Sequence, residues 1–395
     1  MRLLHIVPTY LPALRYGGPI RSVHALCRGL ATCGHDVHVF TTNVDGDGDT
    51  DVPLERAVDL DGVKVTYFPS RRLRRLYWSP PMRRELLQAL PTFDLVHLHA
   101  IYLWPLWAGA RIARRVHVPY VSSPRGMLAP ELIRRKSRFV KEAWLGLIER
   151  RNLENAAAIH ATSTAEADDI RRLGWSLPPV RVVPHGVDDP EQTSGKSASA
   201  DVTAAIAGGG YVLSLGRINW EKGLDRLIGA LPASPTARVV IAGDDREGHA
   251  ASLRELARQL DASDRVTILA RHVDGADKEA LFAGAALFAM PSLAENFGLA
   301  AFEAMRRGLS VLVTREVGMS EIVREAKAGI VVEGAPEAVA AGLNILLADA
   351  SRRMAMGDAG RAHVVARYGW PAVVGQMEAL YRSALAADAR KKALR

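Results

Sequence analysis

Two carboxylates with a helix start between them are the residues of this chain best suited to chemistry. The apolar run Ala285–Met290 predicts a strand ended by Pro291, and Gly298 then opens a predicted helix. Glu295 precedes this helix and Glu303 lies inside it, so about 12 Å of helix-like rise separates them, roughly the span from a sugar ring to a ribose across a diphosphate. The N–H groups of a helix start favour anions. Two solvated glutamates remain the alternative.

Two cations at a second strand end fit the diphosphate part of such a ligand. Arg217 follows the strand predicted for Tyr211–Leu215, and Lys222 comes five residues later, just before Gly223. Arginine can bind a phosphate bidentately, and lysine acts as a point charge. Gly243 ends a further predicted strand at the same edge, where the backbone can approach a ligand closely. An isolated arginine and lysine near a turn are usually solvated, so this prediction depends on the glutamates.

The first half of the chain carries weaker signals. Gly17 and Gly18 precede a helix predicted from about Pro19 to Gly34. These glycines would let backbone N–H groups approach a ligand, although a plain tight turn explains them equally well. His97 and His99 end a predicted strand, at the edge where open α/β sheets bind ligands. We expect the two histidines to point to opposite faces, so that one of them, His99, faces a cleft; a hydrogen-bonded structural histidine is the alternative.

The composition indicates two domains and a reducing compartment. A chain of 395 residues exceeds one ordinary core, and its 48% hydrophobic and 24% charged residues are those of a globular protein. Cys27 and Cys33 are too few for a disulfide framework. The first residues favour a strand over a signal peptide, and no apolar run is long enough to span a membrane. We therefore expect a cytoplasmic protein.

The net charge of +8 is concentrated in two clusters of the first half. One cluster, at 71–75, stands beside Tyr77 and Trp78, and the other spans 134–141. Such clusters suit an anionic membrane surface or a nucleic acid, or they are solvated helix faces. Because no nucleic-acid-binding motif accompanies them, we favour a peripheral position at the inner face of the membrane and expect no nucleic-acid partner.

Strand and helix signals alternate through both halves, which predicts an α/β protein with parallel sheets. Residues 189–210 interrupt the alternation with a stretch rich in Ser, Ala, Gly and Asp that has no apolar period. We therefore predict a first domain at 1–190, a linker at 191–209 and a second domain at 210–370. A cleft between two such domains is a favoured ligand site.

These motifs together resemble the retaining glycosyltransferases of family 4, which have the GT-B architecture of two Rossmann-like domains facing each other across a cleft. The resemblance covers nearly the whole chain, and E-x7-E together with GR-x4-KG at this separation is specific. The other matching segments are the Gly17-Gly18 loop, HLH at 97–99, SPRGML at 123–128, VVPHGVD at 182–188 and residues 328–349.

The resemblance implies a nucleotide-sugar donor bound mainly by the second domain. Arg217 and Lys222 would hold the diphosphate, Glu303 would accept hydrogen bonds from the ribose, and Glu295 would lie by the transferred sugar. His99 would approach that sugar from the first domain and completes the predicted catalytic set. The predicted donor-binding residues are Gly17, Gly18, Arg217, Lys222, Gly243, His272, Val273, Asn296, Phe297, Gly298, Leu299 and Glu303.

The resemblance further implies retention of the anomeric configuration and no metal or other cofactor. The acidic stretch 45–51 does not change this, because it lacks the bidentate glutamate of a calcium loop. Residues 371–395 would form a helix that crosses back to the first domain. The implied reaction moves a hexose to a saccharide acceptor, with a lipid-linked acceptor favoured by the basic first half, in exopolysaccharide, O-antigen or glycolipid synthesis.

Two departures from the family pattern and two alternative functions stay open. Arg271 stands where relatives usually carry a glycine near the base pocket, so the nucleotide base is not assigned. Arg125 stands where many close relatives have histidine. A sugar-nucleotide-binding subunit without catalysis is one alternative, and another GT-B enzyme such as an epimerase is the second.

Overall fold

The computed structural model describes residues 1–13, 18–129, 142–190 and 197–393, which form two compact units. The first unit comprises residues 1–186 and 370–395, and the second comprises residues 187–369. The chain therefore leaves the first unit once and returns to it at its end. Gly17 and the basic cluster at 134–141 lie outside the described residues.

The first unit is built on an eight-stranded sheet that is parallel except at one edge. Apolar residues run through several strands without alternation, as expected for a parallel sheet that is buried on both faces. In spatial order the strands are Val180–Val182, Ala158–Ala161, Tyr120–Ser123, Leu95–His99, Arg2–Ile6, Asp36–Thr42, Val63–Phe68 and Ala57–Leu60.

Helices cover both faces of this sheet. Leu3 belongs to a core shared with the first helix and the closing helix, whereas Leu4 and Ile6 point to the other face and its helices. This division follows from the period of two along a strand. Within the described residues, the α-helices of the first unit are Gly18–Thr32, Pro80–Ala89, Trp104–Arg115, Arg150–Glu154, Thr164–Arg171 and the closing helix Trp370–Ala393.

The second unit is built on a six-stranded sheet whose strands are all parallel. In spatial order they are Val266–Leu269, Val239–Ala242, Tyr211–Leu215, Ala285–Met290, Val311–Thr314 and Gly329–Val332. Its helices are Ala200–Ala205, Leu224–Gly229, His249–Gln259, Gly275–Gly284, Leu299–Arg306, Ser320–Ala326, Pro336–Ala348 and Ala350–Tyr368.

The stretch predicted as a linker, 191–209, contains the helix Ala200–Ala205. Val202 and Ala205 of this helix are buried in the core of the second unit. These apolar residues are three positions apart, so a single helical turn brings both to one face. That signal is too short to stand out in a sequence rich in small and polar residues.

The closing helix Trp370–Ala393, at the place of the predicted helix 371–395, belongs to the first unit. Val373, Val374 and Met377 pack into the core that also contains the first helix. None of the helices in the described part of the chain combines the length and the apolar character that a membrane crossing requires.

We expect Met377→Ala to destabilise the first unit by about 2–5 kcal/mol, because it opens a cavity under a side chain that is 1% exposed. Of the 7 tryptophans, Trp220 alone lies in the second unit, so urea unfolding followed by tryptophan fluorescence reports mainly on the first. Ser383→Ala is the matched control, since Ser383 is exposed on the same helix. Equal unfolding midpoints for the two variants would contradict this packing.

Candidate active site

The loop that follows the strand Ala285–Met290 holds Glu295 on a fixed backbone. The N–H of Glu295 donates to the carbonyl of Glu316 at 3.2 Å, and the N–H of Gly318 donates to the carbonyl of Glu295 at 2.8 Å. On the other side, the N–H of Leu293 donates to the carbonyl of Glu221 at 2.8 Å. Backbone hydrogen bonds to two other segments of the chain thus hold the loop of Glu295 in place, independently of its side chain.

Lys222 forms an ion pair with Glu295, and each side chain is 19% exposed. Lys222 ends a short 3-10 turn, and Gly223 after it adopts a left-handed conformation with φ of 58°. A Cβ at Gly223 would collide with the carbonyl oxygen of Pro291, so glycine is required for the turn to lie against the loop of Glu295. The predicted cation and the predicted carboxylate are therefore brought together by the fold.

Two glycines place bare backbone beside this ion pair. Gly216 and Gly243 follow neighbouring strands, with φ values of 149° and 148°. A Cβ at Gly243 would collide with the carbonyl oxygen of Gly216. Gly216 lines a small pocket together with Arg217 and Lys222, and Arg217 is exposed there. This edge of the sheet therefore combines two cations, Arg217 and Lys222, with backbone that a ligand can approach closely, and such an arrangement can accommodate a polyanion.

The predicted helix begins at Leu299 with Gly298 as its N-cap, whose φ is 104°. Asn296 is partly exposed, whereas Phe297 is buried with its ring 5.2 Å from that of Phe302. Phe297 therefore supports the loop through the core, and its carbonyl accepts the N–H of Met319 at 3.0 Å. A ligand at the helix start can therefore contact the partly exposed Asn296 side chain and the backbone of Gly298 and Leu299.

Glu303 has a lysine partner that sequence reasoning did not identify. Lys278, on the helix Gly275–Gly284, donates to Glu303 Oε1 at 2.7 Å. The lysine side chain is 13% exposed and the glutamate 29%. No local pattern links these two positions, because they belong to different helices and meet only through packing.

Arg271 does not extend toward a ligand in this structure, because its guanidinium binds carboxylates of its own unit. It donates to Asp201 at 2.8 Å and to Asp277 at 2.7 Å, and thereby joins two helices. The hydrogen bond from Arg271 is the main cause that lowers the pKa of Asp201. At Asp277, burial raises the pKa, but hydrogen bonds from the Ser199 N–H and from Arg271 together bring it below the ordinary value. The departure from glycine thus has a structural explanation. Beside Arg271, His272 is exposed and Val273 is buried.

In the first unit, His97 and His99 point to the same face of their strand, with ring centroids 4.0 Å apart. The expectation that they point to opposite faces was wrong. Side chains alternate along a strand with a period of two, so residues separated by one position share a face. Gly18, the other predicted residue of this unit within the described part, begins the first helix.

Hydrogen bonds occupy both ring nitrogens of His99, which is 2% exposed. Arg125 donates to its Nδ1 at 2.8 Å, so neutral His99 carries its proton on Nε2, which lies 2.9 Å from His5 Nδ1. The role of His99 toward a sugar remains a prediction. In this structure both of its ring nitrogens bind side chains of the first unit. Ring nitrogens of His5, His97 and His99 lie within 4.8 Å of one another, but the Arg125 cation beside them opposes binding of a metal ion.

His97 belongs to a second hydrogen-bonded chain in the same cluster. Its Nδ1 lies 2.7 Å from the hydroxyl of Tyr381, which the closing helix supplies. His160 Nε2 donates to the carbonyl of Val183 at 2.8 Å. Burial, with the charge of Arg125 second, lowers the pKa of His5 and His160 to about 3. Burial also lowers the pKa of His97 and His99 well below the ordinary value. These four histidines are therefore neutral at pH 7.

Each unit matches a separate family model. Residues 17–186 match the model described as Glycosyl transferase 4-like domain, and residues 199–363 match Glycosyl transferases group 1. A D-inositol 3-phosphate glycosyltransferase of Segniliparus rotundus is 30% identical over 373 residues, which is 90% of this chain and 82% of the relative. A GDP-mannose:cellobiosyl-diphosphopolyprenol alpha-mannosyltransferase of Komagataeibacter xylinus is 26% identical over 405 residues, 98% of this chain and 94% of the relative.

Among solved structures, that of Anabaena Alr3699/HepE in complex with UDP-glucose has a TM-score of 0.72 and 19% identity, covering 97% of this chain and 100% of the other. Together with the two parallel-sheet units, this likeness defines an α/β fold of the GT-B type. The chain belongs to glycosyltransferase family 4.

We expect the first unit to lose stability as the pH falls from 7 to 5, because its buried histidines are neutral when folded and charge when unfolded. The folded pKa of His5 and His160 lies below the unfolded value of about 6.5, so the unfolded state binds more protons between these values. Each such histidine contributes a slope of up to about 1.4 kcal/mol per pH unit. Urea midpoints read by tryptophan fluorescence should fall between pH 7 and 5 and stay level from 7 to 8.

Proposed function

We propose that this glycosyltransferase is a retaining hexosyltransferase that uses a nucleoside-diphosphate sugar. The observation that carries the proposal is the ion pair of Lys222 and Glu295 beside the exposed Arg217 and the backbone of Gly216 and Gly243. The relative from Komagataeibacter xylinus has GDP-mannose in its name, and the Anabaena structure contains UDP-glucose. Both names support a nucleotide-sugar donor without fixing the base.

The proposed chemistry follows from the charges at this edge of the sheet. Cleavage of the bond between the anomeric carbon and the β-phosphate oxygen leaves the electron pair on the diphosphate. Lys222 and Arg217 would stabilise that charge, and each such group contributes on the order of 10²–10³ in rate. A diphosphate competes with Glu295 for Lys222, which would turn the Glu295 carboxylate toward the transferred sugar.

The acceptor hydroxyl would attack from the face that the leaving group departs from, so that the configuration is retained. Its proton would pass to the leaving phosphate oxygen, which makes a protein nucleophile unnecessary. We propose no divalent metal in this reaction, because the two cations already offset the diphosphate charge. Turnover should then persist in excess EDTA. Glu303 would accept hydrogen bonds from the ribose hydroxyls on the far side of the diphosphate.

A saccharide acceptor linked to a lipid is the acceptor class that we propose, in the synthesis of a surface polysaccharide or glycolipid. The names of the two relatives specify acceptors that carry phosphate, an inositol 3-phosphate and a diphosphopolyprenol. A lipid-linked acceptor requires the enzyme to work at a membrane surface.

The loop at 71–75 supports a membrane contact. Leu73, in the middle of this stretch, is 63% exposed and has a left-handed backbone conformation with a φ of 48°. Arg71, Arg72 and Arg75 are exposed next to it. Arg74 instead binds Asp49 at 2.7 Å and holds the loop in place. An exposed leucine flanked in the chain by exposed arginines suits the interface of an anionic bilayer.

We expect the two glutamates of the E-x7-E motif to respond differently to mutation. Glu303→Ala should weaken donor binding about 10- to 100-fold, because the ribose hydroxyls lose a charged acceptor. Glu295→Ala should chiefly lower turnover, by on the order of 10²-fold. Isothermal titration with uridine, guanosine and adenosine diphosphate sugars identifies the donor, and release of the nucleoside diphosphate measures turnover.

Glu333→Ala is the control for these variants, because Glu333 forms an exposed ion pair with Arg315 in the same unit. Retention of both donor binding and turnover in Glu295→Ala and Glu303→Ala would refute the proposed site. Donor binding by the wild type without turnover on any lipid-linked acceptor would favour the non-catalytic alternative.

We expect Arg71→Ala/Arg72→Ala to reduce binding to vesicles containing phosphatidylglycerol by about 30-fold, since each arginine near an anionic surface contributes about 1 kcal/mol. Co-sedimentation measures this binding. Arg171→Ala/Arg172→Ala is the matched control, because it removes two adjacent exposed arginines at the end of the helix Thr164–Arg171 in the same unit. Equal losses in both variants would show that net charge, and not this loop, governs binding.

A further inference from the structure

Two ion pairs join the helix Gly275–Gly284 to the helix Leu299–Arg306 and the residue after it. Lys278 donates to Glu303 at 2.7 Å, and Arg307 binds the carboxylate of the neighbouring Glu279. Both cations are well buried, with side-chain exposures of 13% for Lys278 and 11% for Arg307. The two pairs have equivalent places in the fold but differ in their surroundings.

Arg307, which binds Glu279, makes further contacts that connect the two helices. Arg307 also donates to the carbonyl of Glu303 at 3.0 Å, and its guanidinium lies 4.5 Å from the ring centroid of Phe282. These contacts connect the end of the helix Leu299–Arg306 to the helix Gly275–Gly284 and to Phe282 in the core. The pair of Lys278 and Glu303 differs in effect, because it involves the carboxylate that would bind the ribose in the proposed function.

Lys278 limits how the Glu303 carboxylate can be used. The lysine occupies Oε1, and an ionised carboxylate is an acceptor only, so Oε2 and its lone pairs remain for a hydroxyl donor. A glutamate side chain otherwise loses considerable rotamer freedom when a ligand fixes it. With Lys278 in place, much of that ordering has already occurred before a ligand binds.

We propose that Lys278 is a positioning residue that sets the preference of this enzyme for ribonucleotide over 2′-deoxyribonucleotide donors. The proposal rests on the proposed function, in which Glu303 binds the ribose. A carboxylate held in one orientation rejects a sugar that lacks the matching hydroxyl, because its oxygen is then left without a donor. A carboxylate free to rotate can turn toward solvent and rejects the deoxy sugar less strongly.

The test compares Lys278→Met with the wild type. Calorimetry measures the Kd of uridine, guanosine or adenosine diphosphate, whichever binds the wild type best, and of its 2′-deoxy counterpart. We expect the wild type to prefer the ribonucleotide by about 10- to 100-fold. In Lys278→Met this ratio should fall to a few-fold, because ribonucleotide binding weakens while binding of the deoxy form changes little. Lys278→Arg should restore most of the ratio.

Glu279→Gln is the matched control, because it weakens the equivalent ion pair between the same two segments. We expect it to lower stability while leaving the ribose preference intact. An unchanged ratio in Lys278→Met, or an equal weakening of both nucleotides, overturns the inference while the proposed function stands. Failure of the wild type to bind any of the three nucleoside diphosphates overturns the proposed function and the inference with it.

Discussion

The ion pair between Lys222 and Glu295 is the contact on which the proposed donor site depends. Its partners lie 73 residues apart and follow two neighbouring parallel strands, whose carboxyl ends meet at one edge of the sheet. Both side chains are four-fifths buried, so each charge needs the other or a ligand in its place. A diphosphate that replaced the carboxylate at the lysine would keep the lysine compensated, and Glu295 would then need hydrogen-bond donors of its own, which the hydroxyls of the transferred sugar would supply in the proposed site.

The same principle extends along the E-x7-E segment, where each glutamate has a lysine partner. Glu295 pairs with Lys222 and Glu303 pairs with Lys278, and the helix start at Gly298 lies between the two pairs. Carboxylates that are paired and partly buried are held in one orientation before a ligand arrives, which lowers the entropy lost on binding. The two pairs would respond differently in the proposed site, because a ligand phosphate would compete with Glu295 for Lys222, whereas a ribose hydroxyl would bind Glu303 alongside Lys278.

The first unit uses charge in a different way. Arg125 donates from its Nη2 to His99, and its Nε and Nη1 atoms are buried without a hydrogen-bond partner among the described residues. The charge of Arg125 helps to keep the surrounding histidines neutral. Because Arg125 also donates to Nδ1 of His99, the single proton of that neutral ring lies on Nε2. Tyr381 reaches the same cluster from the closing helix. The helix that completes the core of this unit thus also completes the hydrogen bonds around the predicted catalytic histidine.

The sequence by itself determined the elements and the polar residues that end them. The strands Tyr211–Leu215 and Ala285–Met290 have the predicted bounds, because apolar runs and the residues that break them are local signals. Only the tertiary structure decided the partners. Lys278 meets Glu303, Arg271 meets Asp201 and His5 meets His99 across 25, 70 and 94 residues, respectively. These contacts depend on strand order and helix packing, which no local pattern encodes.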